Sequence, residues 1–456
     1  MKGTNSMTQK IMCAVLATVC AASVSAADIY VSLATGKNKN AGTKEAPLKN
    51  LWKALEKAAD GDTVHLAEGV YPGKMKQNWF LIDKAVSILG GYSKDFAERK
   101  PLEHKTMFQA LNENNDKKGN GLGVFTIQFP AKAPDGVNMV FDGLIFDEGF
   151  ANSYHETKGK PADLDTGMWL EAPAWNTKRD KNPSANRYLV YSATANRATG
   201  NISFKNCAFV NSGNMAFNVN WYKGKVTVEN CVFCNNRMIG AQVLCSAAVP
   251  MDGPNKPRAG WKPAVEWEFA NNTVLFTWSR LNDLADMGFG IRNNTGVKAN
   301  IHDNVIGLNV LTGFDNTKGA GKTKITNLDN NVFFLNRESD VQMTVSPSIA
   351  KVRVDEFEDL EGTDGIESIE DNEDLKDPAV FKDRINAKYL NNFLSMKYSE
   401  STKLDEGKCN GLRSVLGLPL QGTITTKCDM FCNRYPLEDA LKLFGAMSGK
   451  GAQAIK

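Results

Sequence analysis

One pattern of apolar and polar positions returns five times between about Asn201 and Phe334. Each copy alternates apolar and polar residues as a strand does, bends at an Asn or Asp, and continues as a second short apolar run. The copies are Ile202–Phe209, Val226–Phe233, Trp267–Val274, Ala299–Ile306 and Thr326–Phe333. The pattern therefore predicts a strand, a sharp bend and a second strand in every copy.

The bends fall on Asn206, Asn230, Asn271, Asp303 and Asn330, at successive intervals of 24, 41, 32 and 27 residues. Intervals of this size are typical of stacked repeats, and the longer ones indicate insertions. A looser sixth copy, Met139–Phe146, lies upstream. Asn and Asp tolerate left-handed backbone geometry and can hydrogen-bond the backbone, so they suit a tight corner. No copy can bury its own apolar face, so the copies must form a core by stacking.

The repeat resembles the right-handed parallel β-helix of the pectate-lyase-like superfamily, in which each turn of a wide coil supplies strands to parallel sheets. The stretch from Ile29 to Gly73 is similar to the N-terminal part of many secreted bacterial β-helix proteins. Within it, apolar residues at helical spacing between Pro47 and Ala59 predict a short helix that plugs the first coil. The expected fold is all-β: a right-handed parallel β-helix with an N-terminal capping helix and a C-terminal cap.

The N-terminus has the layout of a secretory signal peptide: Lys2 and Lys10, an apolar run from Ile11 to Ala22, and small residues before Ala27. We therefore expect a leader at 1–26 and a secreted, periplasmic or cell-surface protein. The predicted divisions beyond it are an N-terminal cap and first coils at 27–110, coils at 111–350 with a long insertion at 149–197, and an acidic connection and C-terminal cap at 351–456. The carboxylate-rich part, 355–377, is expected to be a solvated connection. No later apolar run is long enough to cross a bilayer.

The charge balance excludes one class of partner. The 456 residues carry 54 Lys and Arg against 51 Asp and Glu, a formal net charge of +3. A basic excess this small gives no electrostatic reason to expect nucleic acid.

Seven of the nine cysteines follow the leader, so at least one thiol stays unpaired in a monomer. Cys207 and Cys231 occupy the same place in neighbouring copies, which is within disulfide range, but small apolar cysteines would stack equally well as thiols inside a repeat. Cys231 and Cys234 have the spacing of a metal or redox pair, but on a strand they would face opposite sides. One further disulfide is expected among Cys409, Cys428 and Cys432.

The resemblance implies carbohydrate chemistry, since many members of the superfamily are polysaccharide lyases or hydrolases. A lyase neutralises a uronate carboxylate, often with calcium held on Asp or Glu, and removes the neighbouring proton with a base. The candidate catalytic residues are Arg280, Asp283, Asp286 and Arg292, with Asp283 and Asp286 as candidate calcium ligands. The competing interpretation is a solvated coil surface, which also carries charges at its turns. The motifs of known lyases and hydrolases of this fold are absent, so no enzyme family is assigned.

Two insertions, 149–197 and 247–262, carry aromatic and basic residues of the kind that bind sugars. The candidate substrate-binding residues are Tyr154, Trp169, Trp175, Arg187 and Trp261. The same tryptophans could instead pin the insertions to the coil. If both insertions project from one side, they would wall a cleft along the coils.

The sequence leads to two hypotheses. The first is an exported protein that binds, and in its catalytic form cleaves as a lyase or glycoside hydrolase, extracellular or envelope polysaccharide along a coil face. The second is a non-catalytic surface, structural or adhesive protein that forms oligomers or surface assemblies, because a long repetitive face supports lateral contacts. Whether the chain is an enzyme stays open at this level.

Overall fold

The computed structural model describes residues 26–74, 78–109, 123–130, 133–149, 168–169, 188–192, 197–254, 256–278, 287–345, 348–397, 404–420, 426–427, 430–431 and 434–455. In this part of the chain the strands wind into a right-handed parallel β-helix, as predicted. Each full coil adds one strand to sheet A, one to sheet B and one to sheet C in turn. No helix among the described residues combines the length and apolar character needed to cross a membrane.

The strands of sheet A are Asp28–Val31, Thr63–Ala67, Ser87–Tyr92, Val137–Asp142, Thr199–Lys205, Lys223–Glu229, Val265–Ala270, Val297–His302, Ile325–Asp329 and Ile366–Ser368. Those of sheet B are Gly69–Val70, Thr106–Gln109, Leu144–Asp147, Ala208–Val210, Val232–Cys234, Thr273–Leu275, Val305–Gly307, Val332–Phe334 and Glu373–Asp374. Those of sheet C are Phe80–Ile82, Gly123–Ile127, Tyr188–Ser192, Phe217–Trp221, Ile239–Cys245, Phe289–Arg292, Thr312–Asn316, Ser339–Val345 and the antiparallel Ser348–Val352.

The remaining elements are short. Two-stranded pairs join Met168–Trp169 to Met430–Phe431, Met251–Gly253 to Lys256–Pro257, and Met396–Lys397 to Thr426–Lys427. The α-helices are α1 (Leu51–Lys57), α2 (Ala387–Ser395), α3 (Glu406–Val415) and α4 (Leu437–Leu441). The 3-10 helices are Gly321–Thr323, Val354–Leu360 and Pro378–Phe381.

All five predicted corners join sheet A to sheet B with a left-handed backbone. The φ angles are 53° at Asn206, 54° at Asn230, 53° at Asn271, 57° at Asp303 and 57° at Asn330. Gly143, with φ 69°, makes the same corner in the upstream sixth copy. Because every coil bends at the same point, the strands on either side stay in register from coil to coil.

The core lies inside the coil, where equivalent apolar residues stack. Ile202, Val226 and Trp267 are partners across three neighbouring strands of sheet A, and all three are fully buried. Aromatic rings repeat the same stacking, with Phe209 and Phe233 4.6 Å apart between ring centroids. This confirms the core predicted from the repeat.

Helix α1 closes the N-terminal end of the coil. It buries Leu51, Ala54 and Leu55 against the first strands, and Lys84 donates hydrogen bonds to the carbonyls of Leu55 and Glu56 at its C-terminal end. These carbonyls have no partner within the helix, so the ammonium of Lys84 satisfies them. The predicted capping helix is confirmed.

The acidic segment is not the solvated connection that its composition predicts. The 3-10 helix Val354–Leu360 places Phe357 edge-on to Phe333, 5.4 Å between ring centroids, and buries both Phe357 and Leu360. The strands Ile366–Ser368 and Glu373–Asp374 then extend sheets A and B. A few apolar residues cover the last coil while the carboxylates stay outside, so this segment is the C-terminal cap.

The described parts of the segment 376–455 run along the outside of sheet B rather than over the end of the coil. Tyr389, Phe393 and Tyr435 pack in one cluster with outward-facing residues of sheet B such as Val210 and Leu275. Sheet B is therefore buried on both faces, which explains why its three-residue strands are apolar at almost every position.

Candidate functional site

Sheet C is the sheet that the long insertions border. Residues 110–122, 150–187 and 279–286 all fall in connections from sheet B to sheet C, whereas 247–262 falls in a connection from sheet C to sheet A. The two insertions predicted to wall a cleft therefore start at opposite ends of the sheet C strands. The outer face of sheet C is the surface between these ends.

A row of polar side chains crosses this face, one from each of six neighbouring strands. The strand register aligns Tyr191, Asn218, Gln242, Arg292, Asp315 and Gln342, which we call the polar row. Parallel strands lie about 4.8 Å apart, so the row is roughly 24 Å long. Every member can donate or accept hydrogen bonds.

The polar row is closed at one end by a buried ion pair. Nε of Arg292 donates to Oδ2 of Asp315, which is fully buried. Oδ1 of Asp315 accepts hydrogen bonds from Thr317 Oγ1 at 2.7 Å and Gln342 Nε2 at 3.0 Å. Both carboxylate oxygens are thus engaged, so Asp315 positions Arg292 and does not offer a free metal ligand.

The other end of the polar row is open to solvent. Tyr188, Tyr191 and Asn218 are half-buried, and the two tyrosine rings lie 4.9 Å apart between centroids. Gln242 Nε2 donates to Asn218 Oδ1 at 3.2 Å, which links the open end to the buried one. Burial raises the pKa of Tyr188 above its ordinary value, so its hydroxyl stays a neutral donor.

An apolar strip runs beside the polar row at the start of the sheet C strands. It consists of Met215, Ile239, Phe289 and Leu311, with Tyr188 packed against it. The Arg292 guanidinium lies 4.5 Å from the centroid of the Phe289 ring, so the strip and the row touch. The four strip residues are themselves buried, and the half-buried Tyr188, Met238 and Met287 packed against them present the apolar surface beside the hydrogen-bonding groups.

A lysine with an unusual environment lies next to the ion pair. Lys324 is buried, and its Nζ donates to the carbonyl oxygens of Asn316 and Lys318. Burial lowers the pKa of Lys324 to about 8, against an opposing effect of the Asp315 charge. An amine with such a pKa can give up a proton near neutral pH, although here it is tied to the backbone.

Of the predicted catalytic residues, the structure places Arg292 in the polar row. Trp169 belongs to the short strand Met168–Trp169, and Trp261 is half-buried in the connection from sheet C to sheet A. The other predicted catalytic and binding residues lie outside the described residues: Arg280, Asp283, Asp286, Tyr154, Trp175 and Arg187. Asp283 and Asp286 are also the predicted calcium ligands.

The described cysteines are free thiols. Cys207 and Cys231 are buried inside the coil, and their Sγ atoms lie 3.1 and 3.2 Å from the carbonyl oxygens of Lys205 and Glu229. This matches the thiol alternative for the pair. Cys234 lies on the opposite face from Cys231, as predicted. Cys409 is also a free thiol whose pKa burial raises to about 11, while Cys428 and Cys432 lie outside the described residues.

One group of potential metal ligands occurs among the described residues: Glu98, Glu103 and His104. It lies in a connection from sheet A to sheet B, away from the polar row, and both carboxylates are exposed. The ion pairs of His104 with Glu98 and Glu68 account for this grouping without a metal.

Most of the polar row was missed by the sequence analysis. Asn218, Gln242, Asp315 and Gln342 each follow their corner by twelve residues. That constant offset was the available signal, because residues at equal distance from a repeated corner stack on one face. Arg292 breaks the spacing since residues 279–286 lengthen its coil.

Residues 34–98 match a family model described as "Protein of unknown function (DUF1565)". No curated protein is significantly similar to the chain in sequence. Similar solved structures include XylC in complex with xylose (11% identity, 70% of this chain, 64% of that chain, TM-score 0.38). A rhamnogalacturonan lyase is 13% identical, with 68% of this chain and 69% of that chain covered and a TM-score of 0.35. The pectate lyase Pel9A is 13% identical, with 72% of this chain and 79% of that chain covered and a TM-score of 0.31. The chain thus spans 64% of the first of these, and a shared coil does not fix an activity.

Proposed function

We propose that the protein is exported and binds an extracellular or envelope polysaccharide along the outer face of sheet C. The observation that carries the proposal is the polar row with the apolar strip beside it. A sugar ring has apolar faces and an edge of hydroxyls, so this combination suits it. The signal-peptide layout of 1–26 supports export.

The direction of the polar row favours a polymer over a single sugar. The row adds one hydrogen-bonding group per coil at about 4.8 Å, close to the length of one sugar unit in an extended glycan. Successive units would therefore meet the half-buried Tyr191 and Asn218 in turn, while the buried Gln242 holds the Asn218 amide through its hydrogen bond. The buried ion pair of Arg292 and Asp315 then forms the inner end of the site.

The catalytic form of the proposal is a lyase acting on a uronate. Arg292 would attract the substrate carboxylate, but its charge is already balanced by Asp315. Cleavage therefore depends on Arg280, Asp283 and Asp286 supplying charge and a base. Binding is the function that the described geometry supports best, and cleavage is its extension.

The test of binding is affinity electrophoresis of the mature chain through gels that contain uronate or neutral polysaccharides. Asn218→Ala and Gln242→Ala should each weaken retention by a retained polysaccharide several-fold. Asn300→Ala is the matched control, since Asn300 is a half-buried amide on sheet A that likewise bonds one neighbouring coil. If all three variants lose retention equally, or if none of them loses it, the placement of the polysaccharide site on sheet C would be contradicted.

The test of cleavage is mass spectrometry of the same polysaccharides after incubation with calcium and then with chelator. Unsaturated oligosaccharides that disappear with chelator would establish a calcium-dependent lyase. Retention without products would leave a binding protein. Neither retention nor products, with concentration-dependent oligomers, would favour the structural alternative.

A further inference from the structure

Two adjoining depressions lie at the N-terminal end of sheet C, beyond the open end of the polar row. Leu81, Asp83 and Lys84 line both. The first encloses about 410 Å³ between Trp52 and Trp79, and the second about 760 Å³. Together we call them the terminal groove. Volumes of this order are typical of small-molecule sites.

The terminal groove presents aromatic surface to solvent. Trp52 and Trp79 are half-buried, and Leu81 between the two depressions is 40% exposed. The ammonium of Lys74 lies 5.3 Å from the centroid of the Trp52 ring, so the group over this ring is an exposed side chain and not the core. Such aromatic surface is suited to stacking against the apolar face of a sugar.

The charges of the groove select among sugars. Glu56, Asp60, Asp83 and Asp135 line it, against Lys74 and Lys84. Lys84 donates its hydrogen bonds to carbonyls at the end of helix α1, and Nζ of Lys74 lies 3.4 Å from Oε1 of Glu56. The excess of carboxylates repels an acidic sugar, while carboxylate oxygens accept hydrogen bonds from hydroxyl groups. The Asp83 side chain is exposed and forms no hydrogen bond or ion pair with the described residues.

We infer that the terminal groove is a second carbohydrate site, which binds neutral saccharides and excludes uronates. It differs from the polar row in its two tryptophan rings and in its negative charge. The strand register places Leu81 beside Thr126 and Thr126 beside Tyr191, so the groove lies in line with the polar row. The site stands on its own residues and does not require the polar row to bind anything.

The inference is tested by calorimetric titration of the mature chain with short neutral oligosaccharides, such as xylo- and galacto-oligosaccharides, and with galacturonate oligomers. Wild type should bind a neutral oligosaccharide and bind the galacturonate oligomer at least about tenfold more weakly. Trp79→Ala and Trp52→Phe should each weaken neutral binding, Trp79→Ala by about tenfold, or about 1.4 kcal/mol. Tyr222→Ala, a half-buried aromatic outside the groove, should bind as wild type does.

Asp83→Asn is a second test in case a tryptophan variant unfolds. Asp83 is exposed, so its substitution should leave the fold intact. This variant should gain affinity for galacturonate several-fold while neutral binding changes little. Wild-type affinity in Trp79→Ala, or a preference for galacturonate in the wild type, would overturn the inference. Weakening by Asn218→Ala alone would refute the terminal groove and leave the polar row standing. If only the tryptophan variants weaken neutral binding, the terminal groove stands and the polar row is refuted as the site of that binding.

Discussion

Asn206 and Asn230 occupy the same corner of successive coils, and Nδ2 of Asn230 donates to Oδ1 of Asn206 over 2.7 Å. Asn206 in turn donates to Oδ1 of Asp142 over 3.0 Å in the coil before. These two corners thus serve two purposes: each takes up a left-handed backbone and its side chain bonds the neighbouring coil. The two contributions can be separated by substitution.

Asn206→Gly should cost about 1 kcal/mol of unfolding free energy, because glycine adopts the corner freely but loses the side-chain hydrogen bonds. Asn206→Ala should cost about 1 to 2 kcal/mol more, since alanine is also strained at φ 53°. Denaturant titration of both variants measures the difference. Equal stability of the two would show that backbone geometry at this corner is unimportant.

Replacing Asp315 by Ala should cost about 3 to 5 kcal/mol of unfolding free energy. The substitution leaves the charge of Arg292 buried and without its partner, and such an uncompensated charge is expensive. Removing both charges in Arg292→Met with Asp315→Leu should cost less than Asp315→Ala alone. A double variant that is less stable than the single one would refute the ion-pair interpretation.

Stability should fall between about pH 7 and pH 9 because of His302 on sheet A. Its hydrogen bond to Glu268, helped by Asp303, raises the pKa of His302 to about 9, and the same contact lowers that of Glu268 to about 2. The stabilisation is complete below the unfolded histidine pKa of about 6.5 and is lost as pH rises through about 9.

The size of this effect should be about 1 kcal/mol, because His302 is 36% exposed and solvent screens the pair. The Glu268 contribution, in turn, is lost only as pH falls from about 4.5 towards 2. His302→Gln should flatten the decline between pH 7 and 9 relative to wild type, as measured by denaturant midpoints. Parallel curves for the two proteins would contradict the assignment, since other titrating groups cancel in the difference.

Cys207, Cys231, Cys234 and Cys409 should resist alkylation in the native protein and react fully, without reductant, once denaturant is added. Burial raises the pKa of the Cys231 and Cys234 thiols well above the ordinary value, so neither forms thiolate near neutral pH. Peptide mapping after labelling identifies each site. A disulfide-linked peptide containing Cys207 and Cys231 would restore the cross-linked alternative.

Sequence reasoning located the coil well because its signal was local. All five corners and the paired strands could be predicted, since Asn at a fixed place in an alternating pattern has a direct conformational meaning. The second corner was evident only at Asn211 and Asn235, because in the later coils Phe276, Leu308 and Leu335 take positive φ there, against their ordinary preference. Stacking of neighbouring coils imposes that geometry, and one sequence does not reveal it.

The site was harder to predict because it depends on contacts across coils. Arg292 was selected for its charge, but its partner Asp315 is a neighbour only through the sheet register. The packing on sheet B of the described residues within 376–455 was missed for the same reason. The unbroken apolar runs of sheet B, such as Ala208–Val210 and Val332–Phe334, were the available sign that both faces of that sheet are covered.

The C-terminal segment on sheet B changes how the molecule should come apart. An isolated solenoid can lose its end coils one at a time, because each repeat contacts only its neighbours. Here residues 434–455 form a strap across sheet B. Tyr435 exchanges two hydrogen bonds with Asn211, Ala452 donates one to Thr273, and Glu438 forms an ion pair with Lys105. The strap therefore connects coils that are far apart in the chain. Fraying of a single coil must break this strap, which makes unfolding cooperative over the coils that the strap spans.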